Sequence, residues 1–190
     1  MISVRRETPF DVARREALLD EAFGAGRLAK TAERLREGRL PEAGLSFVAC
    51  AGKRLVGTLR LWSISAGPAR HALLLGPLAV ASDCRKCGIG GLLMRHAIGQ
   101  AEQRGHRAIL LVGDAPYYGR FGFSAEKTGG LSLPGPFERE RLLAFELREG
   151  ALDGAWGMIV PTGAASLEIA LPEIKAARGR RAARLVPRAA

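Results

Sequence analysis

Ala72-Leu73-Leu74-Leu75-Gly76-Pro77-Leu78-Ala79-Val80, followed by Ala81-Ser82-Asp83-Cys84-Arg85-Lys86-Cys87-Gly88-Ile89-Gly90-Gly91, is the stretch from which the rest of the chain is read. Its first part is almost continuously apolar, the pattern of a strand covered on both faces. Pro77 has no N–H to give to a ladder, so pairing must break there, by a bulge or by the strand leaving its neighbour. The second part is a glycine-rich turn opening a helix expected from about Gly90 to Arg104, with Leu92, Leu93, Ala97, Ile98 and Ala101 inward and Gly105 past its end. Ala108 to Val112 reads as the next buried strand. A strand, a helix and a second strand in that order make a right-handed crossover, which places the chain among the α/β or α+β mixed sheets.

The turn itself carries chemistry. A glycine-rich loop at a helix start presents unpaired N–H groups at the positive end of the helix dipole, a natural seat for a pyrophosphate. Arg85 and Lys86 add charge beside it, and the glycines let oxygens approach the backbone where a Cβ would hold them off. The loop lacks the Gly-Lys-Ser/Thr ending of a P-loop and the G-x-G-x-x-G order of a dinucleotide fold, so neither nucleotide site is expected.

Leu78-Ala79-Val80 followed by Arg85-Lys86-Cys87-Gly88-Ile89-Gly90 resembles motif A of the GNAT N-acetyltransferases, R/Q-x-x-G-x-G/A after a strand. Glycine is usual in that family where Lys86 stands, and proline is common where Ser82 stands. Tyr117-Tyr118-Gly119-Arg120-Phe121-Gly122-Phe123 is similar to the end of motif B, a tyrosine with Gly-Phe four and five residues later. The resemblance covers Ile2 to Leu147. It implies an acyl-CoA N-acyltransferase fold, a central splayed and mostly antiparallel sheet flanked by helices. It also implies acetyl-CoA as the donor, its pantetheine lying as a pseudo-strand between the strands at 72–80 and 108–112. On this resemblance Leu78, Ala79 and Val80 line the pantetheine, the backbone of Leu78 and Val80 bonding its amides. Arg85, Lys86, Cys87, Gly88, Ile89, Gly90 and Gly91 surround the pyrophosphate. The amide of Val80 or its neighbour polarises the thioester carbonyl. Tyr118 matches the general acid, protonating the leaving thiolate after a primary amine attacks directly, with neither a metal nor a covalent enzyme intermediate.

Other residues have plainer readings beside the chemical ones. Tyr117 and Phe121 read as core or cleft wall, and Trp62 as core. Asp114 either caps a short helix near Pro116 or orients Tyr118. Cys84 and Cys87 form a lone C-x-x-C beside two cations at a helix start, conditions that lower a thiol pKa. No glutamate occurs between Ala72 and Val80, and His71 and His96 are weak base candidates, so proton loss from the amine is expected to run through water.

Working outward, Ile2 to Arg5 reads as a first strand, and Thr8-Pro9 with Asp11 as a helix start. The helix carries Val12, Ala13, Ala17, Leu18 and Phe23 at helical spacing and ends at Gly24 and Gly26. A second helix is expected from Thr31 to Glu37, then a hairpin of Leu45–Cys50 and Arg54–Ser65 across Gly52. Phe123 onward and Leu142 to Leu147 suggest a final antiparallel pair.

With 190 residues, the expected organisation is a transferase domain over 1–150, a C-terminal extension over 151–174 packed on it, and a basic flexible tail over 175–190. The 29 basic and 19 acidic residues give +10, yet six of the basic ones lie between Lys175 and Arg188 with no acid among them. The body is therefore only mildly basic, as suits an anionic ligand. The tail has no interleaved aromatics for base stacking, so nucleic acid is not the expected partner. Three cysteines are too few for a disulfide scaffold and no apolar run is long enough for a membrane span; the expected location is the cytoplasm. The expected partners are acetyl-CoA and an amine acceptor, with room for a homodimer. The alternative is a CoA-binding protein without catalysis, or a nucleic-acid-associated regulator acting through the tail.

Overall fold

Alternation along two neighbouring strands sets the layers. In the computed structural model, which describes residues 1–68 and 70–166, β4 (His71–Val80) sends Leu73 and Leu75 to one apolar cluster and Ala72 and Leu74 to another. β5 (Ala108–Val112) divides in the same way, Ile109 and Leu111 against Ala108 and Leu110. Both strands are therefore covered on both faces, and this is why they read as unbroken apolar runs.

The other strands are β1 (Ile2–Arg6), β2 (Ser46–Ala51), β3 (Arg54–Ala66), β6 (Leu131–Ser132), β7 (Leu142–Glu146) and β8 (Gly157–Pro161). The sheet runs β1-β2-β3-β4-β5-β7, antiparallel except where β4 meets β5. β2 pairs with β3 only as far as Arg60, and β8 takes up the vacated edge of β3 from Ile64 to Ala66. The segment beyond residue 150 is thus built into the sheet, with Leu152 and Ile159 buried in the second cluster. The expected tail at 175–190 and residues 167–174 of the expected extension lie outside the described residues. Among the described residues no helix is long and apolar enough to cross a membrane.

α1 (Val12–Phe23) begins through the Asp11 carboxylate, which accepts from the Thr8 N–H at 2.9 Å and hydroxyl at 2.7 Å and pairs with Arg5. α2 (Ile89–Gln103) opens on two glycines that cost about 1 kcal/mol each in a helix interior. Ile89, Leu93 and Met94 are buried beneath it, each contributing about 2 kcal/mol, so packing rather than propensity holds it. Gly57 on β3 makes this possible, since a Cβ there would stand 3.0 Å from Leu93 Cδ1 and 3.1 Å from Ile89 Cγ2.

Two expectations are corrected. In place of a helix from Thr31 to Glu37 there are two 3₁₀ turns, Ala25–Ala29 and Thr31–Leu35. The Thr31 hydroxyl and the Arg34 guanidinium donate to the carbonyls of Pro136 and Pro134, tying this segment to a distant loop, and it is too short to propagate as a helix. Phe123 does not open a strand either. It is buried against Phe145, only Ser124 bridges to Ala144, and β7 pairs instead with β5.

Candidate active site

The break expected at Pro77 is both a bulge and a parting of strands. Between Leu59 and Leu61 on β3, the partner residue on β4 steps from Leu78 to Leu75, so β4 carries one extra residue at Gly76-Pro77. The Gly76 carbonyl is taken up by the Trp62 indole at 2.6 Å, which makes Trp62 a core residue. On its other edge β4 pairs with β5 only at Leu73–Ile109 and Leu74–Leu110. Beyond that point β4 follows β3 and β5 follows β7, and a cleft of about 1300 Å3 opens between them.

Alternation decides which backbone groups face the cleft. Ala81 donates to the Val56 carbonyl on β3 at 2.9 Å. Leu78 and Val80, one register position out of phase, turn their N–H and C=O groups away from β3, and both line the cleft. Ala79 lies between them with its side chain buried in the core.

The glycine turn is held from behind. The Glu21 carboxylate accepts the Ser82 hydroxyl at 2.7 Å, which gives a local use to a serine where proline is common, and this hydroxyl keeps the Glu21 carboxyl below its ordinary range. Asp83 grips Arg54 through two hydrogen bonds of 2.6 and 2.9 Å. Gly88 then turns into α2 at φ 79°, with no side chain capping the helix. Among the described residues no acceptor takes up the N–H groups of Lys86 through Gly91 outside the helix's own ladder, and Arg85 and Lys86 form no ion pair. Arg85, Lys86, Gly88, Ile89, Gly90 and Gly91 all line the cleft, whereas Cys87 does not.

Lys86 occupies the left-handed region at φ 66°, the one non-glycine residue with positive φ among those described. That conformation costs a side-chain-bearing residue about 1–2 kcal/mol and explains the glycine usual at this place. Lys86→Gly is expected to keep or raise the thermal unfolding midpoint, and Lys86→Val to lower stability by about 1–2 kcal/mol. Equal midpoints for the two variants would show that this turn is not strained.

The opposite wall is α3 (Ala115–Tyr118), capped by Asp114, which accepts from the Tyr117 N–H at 3.3 Å. Asp114 is thus a helix cap. Tyr118 lies over Gly113 at the end of β5, where a Cβ would run into its ring. Its ring meets Tyr117 and Phe123 edge to face, and its phenol lines the cleft. Burial pushes the Tyr118 pKa up to about 12, the Tyr117 hydroxyl adding to the shift, the Arg141 charge opposing it and Asp114 adding again. Tyr117 is cleft wall, its hydroxyl set so close to Gly90 that a Cβ there would displace it.

The thiol reading is corrected at Cys84. Its partial burial and the Asp83 carboxylate push the thiol up, outweighing the cations nearby. His96 packs edge to face on Phe47, 4.8 Å between ring centroids, and is not a base for the cleft.

The sequence alone did not single out Arg36, Arg120 or Arg141, which also line the cleft. Arg120 stacks on the Tyr117 ring at 4.5 Å. It stands within the Tyr117 to Phe123 motif, a placement that could have marked it. Arg36 and Arg141 lie in segments with no motif, and only folding brings them to the cleft.

Comparison with known proteins agrees with this geometry. Residues 13–123, more than half of the chain, match the acetyltransferase (GNAT) family. The chain is 26% identical over 157 residues to YhbS of Escherichia coli K12, described as an uncharacterized N-acetyltransferase, spanning 82% of this chain and 93% of YhbS. The crystal structure of E. coli YhbS in complex with CoA superposes with a TM-score of 0.72 at 25% identity, over 85% of this chain and 89% of that one. A GNAT family acetyltransferase from Brucella melitensis in complex with acetyl-CoA gives a TM-score of 0.57 at 25% identity, over 80% and 99% of the two chains.

Proposed function

The chain belongs to the GNAT acetyltransferase family, and on that premise we propose that it moves an acetyl group from acetyl-CoA to a primary amine, with Tyr118 as the general acid. The observation that carries this reading is the cleft itself. One wall offers the unpaired strand edge of Leu78 and Val80, its mouth offers the free N–H groups of α2, and the other wall offers a phenol that stays protonated.

The residues present fit the donor. Leu78 and Val80 supply N–H and C=O groups at strand spacing, which suits the amides of a pantetheine arm. Lys86 to Gly91, with Arg85, supply N–H groups and positive charge to the pyrophosphate. Ala79 serves by fixing the strand between its two neighbours. Cys87 is not among the cleft's lining residues, so its part is confined to its backbone N–H. When bound, acetyl-CoA supplies an acetyl thioester to the acceptor nitrogen, so that a C–N bond forms and a C–S bond breaks. A backbone N–H here, that of Val80 or its neighbour, would stabilise charge on the thioester oxygen. Tyr118 gives its proton to the departing thiolate, and the proton from the amine leaves through water.

Thermal unfolding tests the reading. A ligand that binds only the folded state at about a hundred times its Kd adds about 2.7 kcal/mol, worth about 5–10 °C for a domain of this size. Acetyl-CoA is expected to give that shift and to release free thiol in the presence of acceptor amines. An unmoved midpoint at saturating acetyl-CoA would exclude the proposal.

A further inference from the structure

The cleft continues past the strand edge into a region built by the 3₁₀ segments of residues 25–35 and the loop of residues 133–141. Arginines crowd this region, and most are already engaged. Arg27 is tied to Glu16 and Asp20, and Arg34 donates to the Pro134 carbonyl. Arg141 is half exposed and faces Glu138 at 3.7 Å.

Arg36 differs. Its side chain is only 9% exposed, its Nε donates to the Ala32 carbonyl at 3.2 Å, and its Nη2 meets Glu33 at 3.1 Å. Its Nη1 is fully buried with no hydrogen-bond partner. That nitrogen lies 3.7 Å from the position a Cβ on Gly76 would take, at the point where β4 breaks and the cleft opens. A buried guanidinium donor left unmatched costs about 1–3 kcal/mol, a cost the fold retains at the wall of the cleft. An anion of planar, two-oxygen shape is the partner that such a fork matches best.

We infer that the acceptor is an amine that also carries a carboxylate, and that Arg36 Nη1 binds this carboxylate beside Gly76. The inference rests on the transferase reading and narrows its acceptor. Glu33 compensates the guanidinium from one side only, and burial disfavours its charge, so a second anion on Nη1 completes the pairing. The carboxylate anchors one end of the acceptor near the break in β4, leaving the amine free to reach into the cleft that Tyr118 lines.

Thiol release from acetyl-CoA tests this, measured on the proteinogenic amino acids and on unblocked dipeptides, each beside its C-terminal amide. At least one free acid is expected to be acetylated with kcat/KM about ten- to a hundredfold above its amide, the worth of one hydrogen bond to a charged group. In Arg36→Met and Arg36→Gln that preference is expected to fall to near unity. The rate on the amide and the unfolding shift with acetyl-CoA should stay as in the parent protein. Three results would overturn the inference while leaving the transferase reading intact: acetyl-CoA binding with no acid acetylated, acids and amides acetylated alike, or an Arg36 substitution slowing both series equally. Failure of acetyl-CoA to bind at all would overturn the reading beneath it.

Discussion

Tyr118→Phe is expected to lower kcat by about a hundredfold or more, the usual contribution of a positioned general acid, with the KM for acetyl-CoA little changed. The phenol has no hydrogen-bond partner among the described residues, so removing its oxygen leaves no group stranded and should move the unfolding midpoint little. The pH profile gives an independent check. With a pKa pushed up to about 12, the phenol holds its proton through neutral and mildly alkaline pH. The rate of the parent protein should therefore rise with pH as the acceptor amine loses its proton, and fall only as pH approaches 12. In Tyr118→Phe the rising limb should persist at a much lower plateau. Equal losses in kcat and in acetyl-CoA affinity would return Tyr118 to a packing role.

Gly113→Ala is expected to damage both stability and turnover through one added methyl group. The new Cβ would lie 2.7 Å from Tyr118 Cδ2 and 3.1 Å from Leu111 Cδ1, and closer still to the next ring carbon. An aromatic ring held edge to face by Tyr117 and Phe123 cannot yield as a flexible side chain would. Overpacking of this kind costs about 1–3 kcal/mol, and turning the ring away removes the acid from its place, so kcat should fall by about as much as in Tyr118→Phe. Combining the two substitutions separates these effects. The double variant should show the stability loss of Gly113→Ala but a kcat no lower than that of Tyr118→Phe alone, because both act through one hydroxyl. Additive losses in kcat would mean that Gly113 serves some other part of the reaction.

The residues differ in how openly their sequence declares them. Pro77 inside an apolar run announced the broken ladder, because a missing N–H is a property of the residue itself and holds in any context. The turn from Arg85 to Gly91 was readable for the same reason, since glycines before an apolar helical repeat expose amides whatever surrounds them. Asp114 remained open between capping a helix and orienting Tyr118 because both uses place a carboxylate at the end of a strand, and only the Tyr117 N–H decided. Thr31 to Glu37 has the composition of a helix, but contacts with Pro134 and Pro136 a hundred residues away overrode that local preference. Cys84 misled because the cations that follow it were weighed and the Asp83 carboxylate just before it was not, while its partial burial is set only by the fold.

What the sequence determined by itself is therefore local and covalent: the strand that must break, the glycine turn that must expose its amides, the alternation that buries β4 and β5 on both faces, and the tyrosine motif after β5. Tertiary structure alone decided how long β4 and β5 stay paired, how closely Tyr118 is packed, and that Nη1 of Arg36 ends beside Gly76 without a partner. The physical reason is range. Backbone donors and side-chain periodicity act within a few residues, but burial, ion pairing and the shape of a cleft depend on groups that only the closed chain brings together.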